Sequence, residues 1–149
     1  MQYLQFVGII ITFGILGWFG ICDLRRRSLP GKALIVSILL SFGFRILLIG
    51  MRSTTVQEGL AALVPAMILL MLSWGTGEKI GYGDGLLLLL MGNLLTGTDV
   101  WKILSVSICL TFPVSLVLLL SGKASGNTRL PFVPFLFVSA CLVYGIRLV

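Results

Sequence analysis

From residue 3 to residue 22 the chain carries no charged side chain, and long apolar stretches almost as poor in charge return at 33–49, 60–74, 100–120 and 131–148. Crossing about 30 Å of hydrocarbon takes about 20 predominantly apolar residues in a helix. Each stretch is of that order, and only helices and closed barrels satisfy their backbone polar groups in lipid. Only 11% of the 149 residues are charged, against 58% hydrophobic, and mean hydropathy is +1.11. A soluble domain carries roughly 25% charge. So little polar surface cannot cover a water-facing globule, and lipid is the expected solvent for most of the chain. The expectation is an all-α, polytopic membrane protein of about six transmembrane helices, with residues 1–149 forming a single membrane-embedded domain.

The fourth helix is the irregular one. Residues 75–85 are rich in glycine, and the apolar run 86–95 follows. Counted from Asp84 to Thr96 this helix reaches only about 20 Å at 1.5 Å per residue. Either the bilayer thins there or the glycine segment dips below the surface and carries Asp84 beneath the headgroups. The sixth helix opens at Pro131 and Pro134, since proline suits a first helical turn, where its missing N–H has no partner to lose.

The net charge of +6 does not point to nucleic acid, because the basic residues sit in short gaps between apolar runs. If the first link, the glycine segment and the last link are cytoplasmic, that side holds Arg25, Arg26, Arg27, Lys32, Lys79, Lys123 and Arg129, and the other holds Arg45, Arg52, Lys102 and Arg147. The positive-inside bias favours this orientation, in an inner membrane with the N-terminus outside. The arginine triplet reads as a topology determinant beside anionic lipid, and Trp74 and Tyr82 as interface anchors. No basic residue precedes the first stretch, so it reads as a retained span rather than a signal peptide.

With no histidine in the chain, a histidine-based catalytic site is excluded. Cys22, Cys109 and Cys141 lack CxxC spacing and are expected as small buried thiols; no metal and no cofactor are expected. The five acids are Asp23, Glu58, Glu78, Asp84 and Asp99. Asp23 ends an inward-running helix and Asp84 begins an outward-running one, so both lie at one membrane face. A carboxylate beside hydrocarbon needs a cavity or a partner, and two close carboxylates share a proton. One then takes a proton from water while the other polarises a carbonyl. From the helix dipoles, Asp84 is expected to start ionised and Asp23 protonated. Gly81, Gly83 and Gly85 are expected to supply positive φ and close backbone approach. The simpler reading of Asp84 is as a helix cap.

These residues resemble a family. Gly81, Tyr82, Gly83 and Asp84 match the GxGD signature of polytopic aspartic proteases. Asp23, followed by Leu29 and Pro30, resembles the first-link pattern of type IV prepilin peptidases, and Pro131, Phe132, Val133, Pro134 and Phe135 resemble the stretch opening that family's last helix. The three segments come in family order over nearly the whole chain. The resemblance implies a membrane aspartyl endopeptidase that removes the leader of type IV pilin-like precursors at the cytoplasmic face, with Asp23 and Asp84 as the catalytic pair. It further implies that Gly81, Gly83, Gly85, Pro30, Pro131 and Pro134 shape the loop or the substrate site. Gly31 and Leu86 depart from the pattern, where an asparagine and a lysine are usual. No paired CxxC insertion is present, which implies peptidase activity without N-methylation. The alternative is a non-catalytic membrane scaffold or assembly protein of the same fold; a small transporter would instead place its acids near the membrane midplane.

Overall fold

The computed structural model describes residues 2–26, 29–51, 54–76, 81–121 and 131–148. Within them the chain is all-helical: α1 (Gln2–Arg26), α2 (Gly31–Gly50), α3 (Val56–Gly75), α4 (Tyr82–Leu94), α5 (Gly97–Leu120) and α6 (Val133–Leu148). Helices α1, α2, α3 and α5 are long and apolar enough to cross a membrane, and α6 contains a shorter apolar helix. Large apolar side chains such as Ile10, Leu40, Ile46 and Leu120 stand mostly exposed on the outside. A water-soluble surface does not tolerate such continuous apolar area; a lipid-facing one requires it. The protein is a membrane-embedded helical bundle.

Local chemistry sets the boundaries. Pro30 is the N-cap of α2, and its carbonyl accepts the Leu34 N–H at 3.1 Å. Thr55 and Glu58 form a reciprocal capping box at the start of α3, the arrangement that satisfies two orphan N–H groups at once. Glu58, in the gap between the apolar stretches 33–49 and 60–74, is therefore the third residue of a helix that begins a turn earlier than residue 60. Only Leu95 and Thr96 separate α4 from α5. Pro65 and Pro113 lie inside α3 and α5, which a membrane bundle accommodates where neighbouring groups take up the freed carbonyl.

Helix α4, with 13 residues, is the hub. It packs on α3 and α2 and also meets α1 and α5, while α6 bridges α1 and α5. One apolar core draws residues from all six helices, with Leu87, Leu88, Leu90 and Met91 of α4 fully enclosed. The helices approach closely where side chains are missing. A Cβ at Gly92 would fall 2.5 Å from the Ala62 carbonyl oxygen on α3, and one at Gly8 on α1 equally close to the Leu94 carbonyl oxygen. Small residues of this kind let membrane helices gain van der Waals contact without a hydrophobic driving force. On the far side, Phe13 of α1 meets Phe137 and Tyr144 of α6 edge to face, with ring centroids 6.0 and 5.9 Å apart.

Two sets of expectations change. Cys109 and Cys141 are exposed and Cys22 half-buried, all three as free thiols, so these cysteines are not enclosed by protein; in a bilayer the outward-facing ones meet lipid. The cations Arg27, Arg52, Lys79, Lys123 and Arg129, used above for orientation, and Glu78 lie outside the described residues.

Candidate active site

The end of α1 and the start of α4 meet at one end of the bundle. α1 continues past the apolar stretch 3–22 through Arg26, so Asp23 sits within its last turn. The reason is that Leu24, Arg25 and Arg26 all favour helix, and no glycine or proline intervenes before Pro30. Asp23 is buried, with 8% of its surface exposed. Its Oδ2 accepts the backbone N–H of Val133 at 3.3 Å.

That N–H belongs to the first residue of α6. The carbonyl of Phe132 accepts from both Phe135 and Leu136, which makes Phe132 the cap of the helix and leaves the Val133 N–H without an intrahelical partner. Pro134, next in line, has no N–H to satisfy. Pro131 precedes the cap outside the helix, while Pro134 lies within its first turn. The backbone of Pro134 lies against Gly20, one turn before Asp23. The proline segment thus places a helix N-terminus, with one free donor, directly on the first carboxylate. Sequence reasoning placed these prolines at a helix start but missed the donor. The signal was present, since a proline in a first turn marks the N–H just before it as an orphan.

Asp84 is half-buried in the first turn of α4. The helix begins at Tyr82, so Gly83, Asp84 and Gly85 are helical rather than part of an irregular loop. The N-cap is Gly81, with φ −61° and ψ 115° and no side-chain capping bond; the reading of Asp84 as the cap is therefore corrected. The Asp84 N–H donates to the Gly81 carbonyl at 3.0 Å. The two carboxyl groups lie near enough that the charge of Asp23 acts on Asp84.

The glycines work by size, not by positive φ, which none of the described glycines adopts. A Cβ on Gly81 would lie 2.6 Å from Asp84 Oδ2, one on Gly83 would lie 2.6 Å from Leu29 Cδ1, and one on Gly85 would run into Leu70 of α3. Gly81 leaves the space the carboxyl occupies. Gly83 receives Leu29, which brings the Leu29–Pro30 segment down over the acid-bearing turn. Gly85 seats the turn on α3. Gly31, by contrast, has open space around it, and Leu86 packs against the core. Trp74 and Tyr82 project outward near this end of the bundle, exposed by 87% and 52%, as interface anchors do.

All three sequence segments therefore converge: Asp23 with Leu29 and Pro30, Gly81 to Asp84, and Pro131 to Pro134. The site offers two interacting carboxyl groups at the end of an apolar bundle, one of them held by a backbone donor. The described residues define a polytopic helical membrane protein in which two acids, Asp23 of α1 and Asp84 of α4, lie at one end of the bundle, the first bonded to the start of α6. In comparison with known proteins, no family model, no curated protein and no solved structure matches the chain.

Proposed function

We propose that this protein is a membrane aspartyl endopeptidase that removes the leader from pilin-like precursors at the cytoplasmic face of an inner membrane. The observation that carries the reading is the convergence of Asp23 and Asp84, which are 61 positions apart in the chain (84 − 23), within electrostatic reach of one another. Inside a bundle with few acids, two carboxylates placed together carry a cost that a purely structural role does not explain.

Hydrolysis follows from one ionised and one protonated member. The ionised carboxylate removes a proton from water as the water oxygen attacks the scissile carbonyl. The protonated partner donates to the carbonyl oxygen, giving a neutral tetrahedral diol. Collapse breaks the C–N bond; one carboxyl protonates the leaving amine, the other recovers a proton from the diol, and the pair again shares a single proton. The Val133 N–H bonds Asp23 and the N-terminal end of α6 faces it, an arrangement that favours a carboxylate there. In the proposed cycle Asp23 is the base and Asp84 holds the proton, the reverse of what the dipoles of α1 and α4 alone suggested. The pair titrates as a unit.

A precursor with a basic leader ahead of an apolar helix would present its scissile bond at the membrane surface, the level proposed here for the two acids. D23N and D84N, each co-expressed with such a prepilin, are expected to abolish leader cleavage, read as a mobility shift of the precursor, with the protein still present in the membrane fraction. Cleavage that survives either substitution rejects the peptidase reading and favours a non-catalytic assembly protein of the same fold.

A further inference from the structure

At the opposite end of α4 from Asp84, the bundle encloses a cation. Arg45 of α2 is 6% exposed, whereas Arg25, Lys32 and Lys102 are all exposed. An arginine inside an apolar membrane bundle is costly and is kept where it has a partner and a task. Its Nη2 donates to the Gly92 carbonyl oxygen at 2.9 Å. Its Nε is buried with no hydrogen-bond partner among the described residues.

The accepting carbonyl is a specific one. The Leu95 N–H closes the last bond of α4 onto Met91. Gly92 is thus among the final carbonyls, which a helix leaves without internal partners, and the guanidinium sits at the negative end of the helix dipole. The surroundings are cut to admit it: a Cβ on Gly59 would lie 3.4 Å from Nε. Glu58, held by its capping box with Thr55, acts on the guanidinium charge. Arg45 therefore joins α2, the start of α3 and the end of α4.

We propose that Arg45 is a positioning residue for Asp84: by fastening the C-terminal end of α4 to α2 and α3, it sets the depth and rotation at which the other end of the helix presents its carboxyl to Asp23. Gly92 lies eight residues from Asp84, about 12 Å along a rigid helix. A one-residue slip at the clamp would move Asp84 by about 1.5 Å and turn it by about 100°, which would separate the pair. Asn93 Nδ2 also bonds Ser41 Oγ at 3.3 Å, but that neutral contact holds the same two helices without engaging the carbonyl end of α4.

The inference rests on the peptidase reading for its catalytic consequence, so the test has two arms. The first is geometric and needs no activity. In the full-length chain with C22S, C109S and C141S, the D23C/D84C pair is oxidised in membranes with copper phenanthroline, and remaining thiols are counted by PEG-maleimide mobility shift. Relative to the parent pair, closure is expected to be about tenfold slower with R45M and intermediate with R45K, which keeps the charge but loses the planar fork. S41A is expected to leave the rate within about twofold. The second arm measures prepilin cleavage by the chain with both acids intact: R45K is expected to lower kcat about tenfold with KM within about twofold. An unchanged cross-linking rate in R45M, an equal loss in S41A, or a rise in KM alone in R45K overturns the proposal. If R45M fails to reach the membrane, R45K decides, and parental rates in both arms overturn it. If the parent chain cleaves no prepilin, the peptidase reading fails while the cross-linking arm still judges the clamp.

Discussion

A methyl group at position 81 would meet Asp84 Oδ2 at 2.6 Å, and the carboxyl, rather than the backbone, is what can move. The Gly81 conformation, φ −61° and ψ 115°, is open to alanine, so G81A is expected to fold with stability within about 1 kcal/mol of the parent. Its carboxyl is displaced all the same. In the proposed enzyme an error of about 1 Å costs on the order of 100-fold in rate, so G81A should lose kcat by about that factor while its melting midpoint in detergent holds. G83A makes the informative comparison. Its new methyl meets the Leu29 side chain, Cδ1 closest at 2.6 Å, which can turn aside, so its loss should be well below that of G81A; equal losses would show that the glycines act through something other than the carboxyl. The identity of these residues was legible in the sequence because acids are so few that two beside apolar stretches stand out. Their mode of action was not. Positive φ and a missing Cβ both select glycine, and only coordinates distinguish a backbone need from a packing need.

Helices were more legible than their ends. Apolar runs and their length place all six, because lipid leaves the chain few other ways to satisfy its backbone. The boundaries moved where polar residues joined a helix instead of ending it: Asp23 in the last turn of α1, Glu58 in the capping box of α3, and Tyr82 to Gly85 in the first turn of α4. The burial of Arg45 was hidden for a related reason. Read as one more cation on the outer side, it is in fact turned inward by α2, and the signal was a charge inside the apolar stretch 33–49 rather than in a link. Helix seams carry their own prediction. At Gly92 an added Cβ meets the Ala62 carbonyl oxygen at 2.5 Å, backbone against backbone, whereas at Gly14 nothing lies within 4 Å. G92A must push α3 and α4 apart and is expected to cost about 1–3 kcal/mol. G14A, on an open helical face, is expected to be neutral or to stabilise by up to about 1 kcal/mol. Denaturation in detergent, compared for the two variants, checks the difference; similar stabilities would mean that the α3–α4 seam is looser than drawn.

For the molecule as a whole, connectivity decides which groups share a membrane face. α1 and α4 are separated by two full-length helices, α2 and α3, so the end of α1 and the start of α4 return to the same side whichever way the protein inserts. That parity is why Asp23 and Asp84 could be placed on one face from the spans alone. It does not depend on α4 crossing the hydrocarbon by itself, which 13 residues, rising about 20 Å, do not do. Absolute orientation is a separate matter, and in the proposed arrangement it is set by the basic residues near Asp23. Tyr82 and Thr98 are both exposed and stand at the starts of α4 and α5, at opposite ends of the bundle. In a chain carrying C22S, C109S and C141S, Y82C is expected to react with a membrane-impermeant maleimide in inverted vesicles only, and T98C in right-side-out vesicles only. The reverse pattern would leave the carboxyl pair intact but turn it outward, away from any cytoplasmic precursor. Labelling of both positions from one side would contradict the fold itself, because it would put the two ends of α4 on the same face. Since α4 is short, Y82C should also react at a rate near that of a free aqueous thiol, as water must reach the turn that bears Asp84 if hydrolysis is to occur there. A slow, detergent-dependent reaction would mean that lipid seals the site and that the two acids meet without the water they need.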